Sequence, residues 1–384
     1  MRRPFPASML AVTIALTPAL HAAGLTAPDP LAKAYDLILD AQFDQIDGQL
    51  QRACGPAPPT SCEVLRAVSQ YWQLLFDPEN TGHDQAVLRQ ANAAIASAEG
   101  WVAREPKRAE AWFYLGGAYG TRVLLRDMRG DVFAAARDGK RIHDALQQAV
   151  KLDPTLQDAY FGLGLYHYYA AIAPRVARIL GWLLFLPGGD RAGGLREMQQ
   201  TQTQGMLLSG EADYQLHLIY LWYENRPMDA LRLAEGLHRR YPHNPLFALR
   251  LATIQGENLH AAQASLETYR ALLEASREGR VAYPAIAEVD ARLGMADQLN
   301  LLCESASAIE QLHAVIALKP AAPYAAGARA YYRLGVVYDR IGRRDEAVTA
   351  YRSGLAAIPT DDRLHLGAKV REGIARTPIG RACR

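Results

Sequence analysis

The chain has 384 residues, half of them hydrophobic, with 42 basic and 40 acidic side chains and a formal net charge of +2. That length holds two or three ordinary domains, or one stack of repeats. Interspersed, near-balanced charge excludes the electrostatic footprint of a nucleic-acid binder. Abundant Ala and Leu beside few β-branched runs favour an all-α chain.

Residues 1–23 read as a signal peptide. Arg2 and Arg3 give a positive start, Met9 to Leu20 is a short apolar run, and Ala22, Ala23 and Gly24 are small. The run is too short to span a bilayer, and its three-part plan is that of a secretory leader cut after Ala22 or Ala23. An uncleaved apolar N-terminal helix is the alternative. Loss of Arg2 and Arg3 brings the formal charge to about zero. A periplasmic or secreted location follows, and four cysteines suit such an oxidising compartment. Cys54 and Cys62 flank a short proline-rich loop and are expected to form a disulfide. Cys303 sits in helical sequence and reads as a small buried hydrophobe. Its pairing with Cys383, in a loose tail over 377–384, stays open.

Residues 24–106 form an N-terminal helical region. One helix is expected over 31–53, with Leu31, Tyr35, Ile38, Leu39, Phe43 and Ile46 on a single face. A second runs from Cys62 to Phe76 and stops at Asp77-Pro78. A third ends near Glu105. Residues 107–245 follow as degenerate helix pairs. Trp112, Leu115, Gly116 and Tyr119 open the first, which closes at Pro154. The gap between its halves calls for long helices or a long turn at 127–131. Tyr160, Leu163, Gly164 and His167 open the next, interrupted by an apolar insertion over 170–187. Tyr214, Asn225, Ala230, Ala234, Leu237 and Pro242 form a unit in register. Residues 246–376 continue with Leu251, Ala252, Ala264 and Ala271, then a looser pair over 283–320. The clearest unit comes last: Tyr331, Leu334, Gly335, Tyr338, Gly342, Ala347, Tyr351, Gly354 and Pro359. A capping helix is expected over 364–374.

The order and spacing at 331–359 resemble the tetratricopeptide repeat, a helix–turn–helix unit of about 34 residues. The resemblance implies an exported bacterial-type member of that family. Its implied fold is an α-solenoid, a right-handed superhelix of antiparallel helix pairs that stack because one pair cannot bury its own apolar faces. Over 159–245 the runs Gly162-Leu-Gly-Leu, Gly189-Asp-Arg and Tyr220-Leu-Trp-Tyr, with Pro174, are similar to a eukaryotic repeat family linked to the mitochondrial outer membrane. That likeness implies a scaffold or adaptor.

In such folds the first helix of each pair lines a concave groove. The corresponding positions here are Phe161, Leu165, Tyr168, Tyr169, Gln215, Ile219, Trp222, Tyr223, Tyr332, Asp339 and Arg340. Aromatic side chains with polar tips suit a protein or peptide ligand. Phe161, Tyr168, Tyr169, Trp222, Tyr223, Tyr332 and Arg340 are therefore the candidate partner-binding residues. The same rings could simply pack between helices. Ile219 and Val336 stand where a Lys and Asn clamp would hold a peptide carboxylate, so a carboxylate-terminated tail is not expected. Trp182, Leu183, Leu184 and Phe185 in the insertion are candidates for contact with a membrane surface or a partner; burial in the solenoid is the simpler alternative. Asp190 is expected to cap a helix, with Arg191 pairing locally. His167 and His217 read as satisfied buried histidines, and His238 and His243 are badly spaced as ligands. No nucleophile, metal or cofactor motif declares itself, so a non-catalytic scaffold is expected. An enzyme on a helical solenoid would need paired carboxylates in one cleft, and a small-molecule binder a closed apolar pocket.

Overall fold

The computed structural model describes residues 24–173 and 188–376. The leader, most of the apolar insertion with Trp182, Leu183, Leu184 and Phe185, and the tail with Cys383 lie outside the described residues.

All regular structure among the described residues is helical. The order is α1 (Pro28–Leu39), α2 (Ile46–Ala53), α3 (Pro59–Leu74), α4 (Asp84–Arg104), α5 (Ala109–Met128) and α6 (Val132–Leu152). Next come α7 (Ala159–Ile172), α8 (Arg191–Gln204), α9 (Ser209–Trp222), α10 (Pro227–Arg240), α11 (Pro245–Thr253) and α12 (Ala262–Arg277). The chain continues through α13 (Pro284–Leu301), α14 (Ser305–Leu318), α15 (Ala326–Arg340), α16 (Arg344–Ala356) and α17 (Leu366–Ala375). Each helix packs mainly on its chain neighbours, and α3 also meets α5, α11 meets α13, and α13 meets α15. That pattern is an α-solenoid of stacked helix pairs.

Local chemistry explains the joints. Proline opens α1, α3, α10, α11 and α13, where its missing N–H has no helical partner to lose. Asp131, Asp190 and Asn244 cap helix starts by accepting from Ala134, Gly193 and Leu246 N–H groups. In the last full pair, Gly335 lets α16 approach: a Cβ there would lie 2.4 Å from the Tyr351 ring. Gly164 and Gly194 bring the α7 and α8 backbones together in the same way, a Gly164 Cβ falling 2.7 Å from the Gly194 carbonyl. The long gap inside the first pair comes from the 20-residue α5 and 21-residue α6. They are locked by fully buried Asp138, which accepts from Arg122 and Arg126.

Several expectations fail here. The helix expected over 31–53 breaks after Leu39, where Ala41 adopts a left-handed φ of 57° and a short 3-10 turn precedes α2. Cys303 is not a buried helical residue; it is exposed in the turn between α13 and α14 with φ 65°, and it is not a free thiol. Arg191 reaches across to Glu224 on the α9–α10 turn rather than pairing locally. His217 is fully buried, yet neither ring nitrogen has a hydrogen-bond partner among the described residues. Cys54 and Cys62 form the expected disulfide, with Cα atoms 6.2 Å apart, tying α2 to α3.

The largest departure from a plain curved row is the N-terminal region, which lies across the joints between later pairs. Tyr35 donates to Glu211 at the start of α9, Tyr241 donates to Asp36, and Asn244 donates to the Leu39 carbonyl. Leu31, Ile38 and Leu39 are buried in one core with Leu237, Tyr241 and Phe247. Further on, Trp72 packs 4.9 Å from the Tyr214 ring and Phe76 4.5 Å from that of Tyr283. Asp77 accepts from the Tyr324 N–H, and Arg363 donates to Thr81 and the Glu79 carbonyl. The N-terminal region thus reaches the starts of α9, α11, α13 and α15 and the connection before α17, partly through the α3–α4 loop.

Candidate functional site

Helices α7 and α9 end side by side, and their last turns carry most of the aromatic candidates. Tyr168, Tyr169 and Tyr223 meet edge to face, with ring centroids 5.6, 5.7 and 6.3 Å apart. This geometry sets the positive edge of one ring against the negative face of the next. Tyr168 is fully buried beneath the others, whereas Tyr169, Tyr223 and Trp222 are 37%, 47% and 57% exposed. Tyr168 therefore supports the patch, and the other three present it. Phe161 lies deeper, packed in the core with Tyr168, Leu216 and Ile219.

A charged relay fixes the base of the patch. Tyr168 Oη donates to Glu224, which also accepts from Arg191 Nε at 2.8 Å. The Arg191 guanidinium holds the Glu224 carboxyl below its usual range, against the upward push of burial. Burial, and then the Glu224 carboxylate, push the Tyr168 phenol well up. The relay stays Arg⁺–Glu⁻–TyrOH across the physiological range, so its rings keep one arrangement. Above it, the Arg250 guanidinium lies 5.9 Å from the Trp222 ring, a cation–π distance. Arg191, Glu224 and Arg250 were absent from the sequence-derived set. No helical periodicity could have supplied them, because they come from three different elements.

Tyr332 belongs to a second place. It lines a hollow of about 350 Å³ with Asp297, Asn300, Arg329, Arg333, Val336 and Lys369. Arg329 pairs with Asp290 at 3.0 Å and Arg333 with Asp297 at 2.9 Å. Burial raises the Asp290 carboxyl despite Arg329. Asn300 Oδ1 is buried with no hydrogen-bond partner among the described residues. Arg340 sits apart from both places and donates toward Cys303 Sγ at 3.8 Å. Ile219 and Gln215 are buried, so the groove face of α9 is occupied by the molecule's own packing. The seven candidates thus divide into one cluster at α7 and α9, Tyr332 in the hollow, and Arg340 beside Cys303.

Among the described residues no helix is long and apolar enough to cross a membrane. No group of three His, Cys, Asp or Glu among them is placed to hold a metal ion.

The family profile described as "Tetratricopeptide repeat" matches residues 328–361, spanning α15 and α16. No curated protein matches the chain. Among solved structures, YrrB, titled a TPR protein with an unusual peptide-binding site, is similar at 13% identity. The match covers 72% of this chain and 97% of that one, with a TM-score of 0.30. The Cut9 and Hcn1 hetero-tetramer of the APC/C is similar at 13% identity over 85% of this chain, with a TM-score of 0.44. This chain spans 60% of that one. Residues 328–361 thus match the tetratricopeptide repeat, and they form one helix pair in a stack of such pairs.

Proposed function

We propose that this protein is a non-catalytic scaffold of the cell envelope that holds a protein or peptide segment against the Tyr169, Trp222 and Tyr223 patch. The observation that carries the reading is the exposure of Tyr169 and Tyr223, in ring contact over buried Tyr168 and its charge-fixed base, with exposed Trp222 next to Tyr223 in the chain. Such rings bury much area on contact and lose little rotamer freedom, which is the usual make-up of an interface hot spot. Arg250 beside Trp222 and Arg191 at the rim favour a segment that joins an apolar or aromatic anchor to an acidic neighbour. The envelope location is supported by Arg2, Arg3 and the apolar run that follows.

A photo-crosslinker at Tyr169, within the patch, tests the reading in intact cells. One discrete adduct is expected. It should weaken about tenfold in the Trp222→Ala/Tyr223→Ala double variant, the loss set by about 1.4 kcal/mol at one anchor. Leu301→Ala, an exposed apolar change at the α13 C-terminus, should leave it unchanged. Equal capture by all three chains would remove the patch from consideration.

A further inference from the structure

The first described residue makes a contact that a plain chain start does not need. Gly24 N donates to Asp153 Oδ2 at 2.7 Å, across 129 positions. The other carboxylate oxygen accepts from the Thr155 N–H and hydroxyl, at 2.9 and 2.6 Å. Asp153 is buried, 8% exposed. No Lys or Arg among the described residues forms an ion pair with it. It also stands at the C-cap of α6, where the helix carbonyls already carry partial negative charge and favour a cation. Against the upward push of burial, the hydrogen bonds from Thr155 and Gly24 hold the Asp153 carboxyl below its usual range, and a positive group at the same place would favour the carboxylate further. Just beyond, Thr26 is pinned by Glu110 and Arg108 through its N–H and hydroxyl. The chain is therefore anchored to the body at Gly24 and Thr26.

We infer that residues 1–23 are removed at the Ala23–Gly24 bond and that the new Gly24 α-ammonium is the missing cation of Asp153. The inference rests on the leader reading and is independent of the aromatic patch. A leader peptidase of the envelope adds one water across the peptide bond; Ala23 leaves as a carboxylate and Gly24 keeps the nitrogen as an ammonium. The amide hydrogen bond at Gly24 then becomes a charge-assisted pair in the same place. This choice resolves the two cleavage positions that the sequence leaves open. A cut after Ala22 would put the positive charge one residue away from the carboxylate.

The mature protein, purified after export from cells making the full chain, is measured for intact mass and terminal sequence. A start at Gly24 is expected; a start at Ala23 or an intact leader overturns the inference. The α-amine is then acylated near neutral pH and its rate compared with that of Asp153→Asn. An ion-paired ammonium releases its proton less readily, so the wild-type amine should react about tenfold more slowly, a one-unit rise above the ordinary value of about 7.7–8.0. Equal rates in the two chains would show that Asp153 does not hold the terminus, whatever the cleavage position.

Discussion

Tyr35 Oη donates a hydrogen bond to Glu211 Oε2 at 3.1 Å, although 176 positions separate the two residues. The bond is buried, and Gln215 Nε2 donates to the other carboxylate oxygen at 3.4 Å. Burial raises the Glu211 carboxyl above its usual range in spite of these donors. Tyr35→Phe removes one donor from a buried carboxyl group. The expected loss is about 1–3 kcal/mol of unfolding free energy, read from the urea midpoint. An unchanged midpoint would mean that the N-terminal helix does not engage α9 in solution.

His217 gives the clearest pH dependence. Burial, and then the Arg250 charge, lower its pKa to about 3. The unfolded imidazole titrates near about 6.5. Below that value the unfolded chain takes up a proton that the folded one refuses. Stability from this residue is therefore complete above about pH 6.5 and falls as pH drops toward 3, by at most about 1.4 kcal/mol per unit. His217→Leu should flatten that part of the profile. At neutral pH it should equal or exceed the wild type, because two unpartnered ring nitrogens leave the core. Urea melts from pH 4 to 8 check both statements.

Two glycine substitutions should act in opposite directions. Gly164→Ala drives a methyl into the Gly194 carbonyl and the Met198 side chain, and α7 and α8 must part to admit it. A cost of about 1–3 kcal/mol is expected. Gly236→Ala on α10 meets nothing within 4 Å and should stabilise by about 0.4–1 kcal/mol through the unfolded chain. Thermal melts of the pair separate close helix approach from simple helix propensity.

The Cys54–Cys62 bridge closes a short loop, with a sequence separation of 8. Its removal in Cys54→Ala/Cys62→Ala should cost about 2–3 kcal/mol. Reductant should lower the wild-type melting temperature by more than it lowers that of the double variant, which still holds the bonded Cys303.

The repeats were readable because their rules are local. Gly335, Ala347 and Tyr351 meet within one helix pair, so their spacing carries the contact. The matched profile at 328–361 falls on the same residues. The fold class and the position of the capping helix followed from that register. What escaped the sequence depends on distant partners. Nothing near Tyr35 announces Glu211, and nothing near Arg191 announces Glu224. The break at Ala41 was hidden because an apolar face continues on either side of it. The aromatic set was found by helix phase, but phase could not separate Tyr168, which is buried, from Tyr169, which is exposed. That distinction is set by α9 packing alongside.

The seating of α1 across later joints has a consequence for synthesis. Leu31, Ile38 and Leu39 emerge early, yet the surfaces that cover them, at Leu237, Tyr241 and Phe247, are made some 200 positions later. Helix α1 thus leaves the ribosome long before its shelter is made, and its greasy side stays open to other chains meanwhile. Trimming end units, which merely shortens an ordinary array, would here unlace the middle.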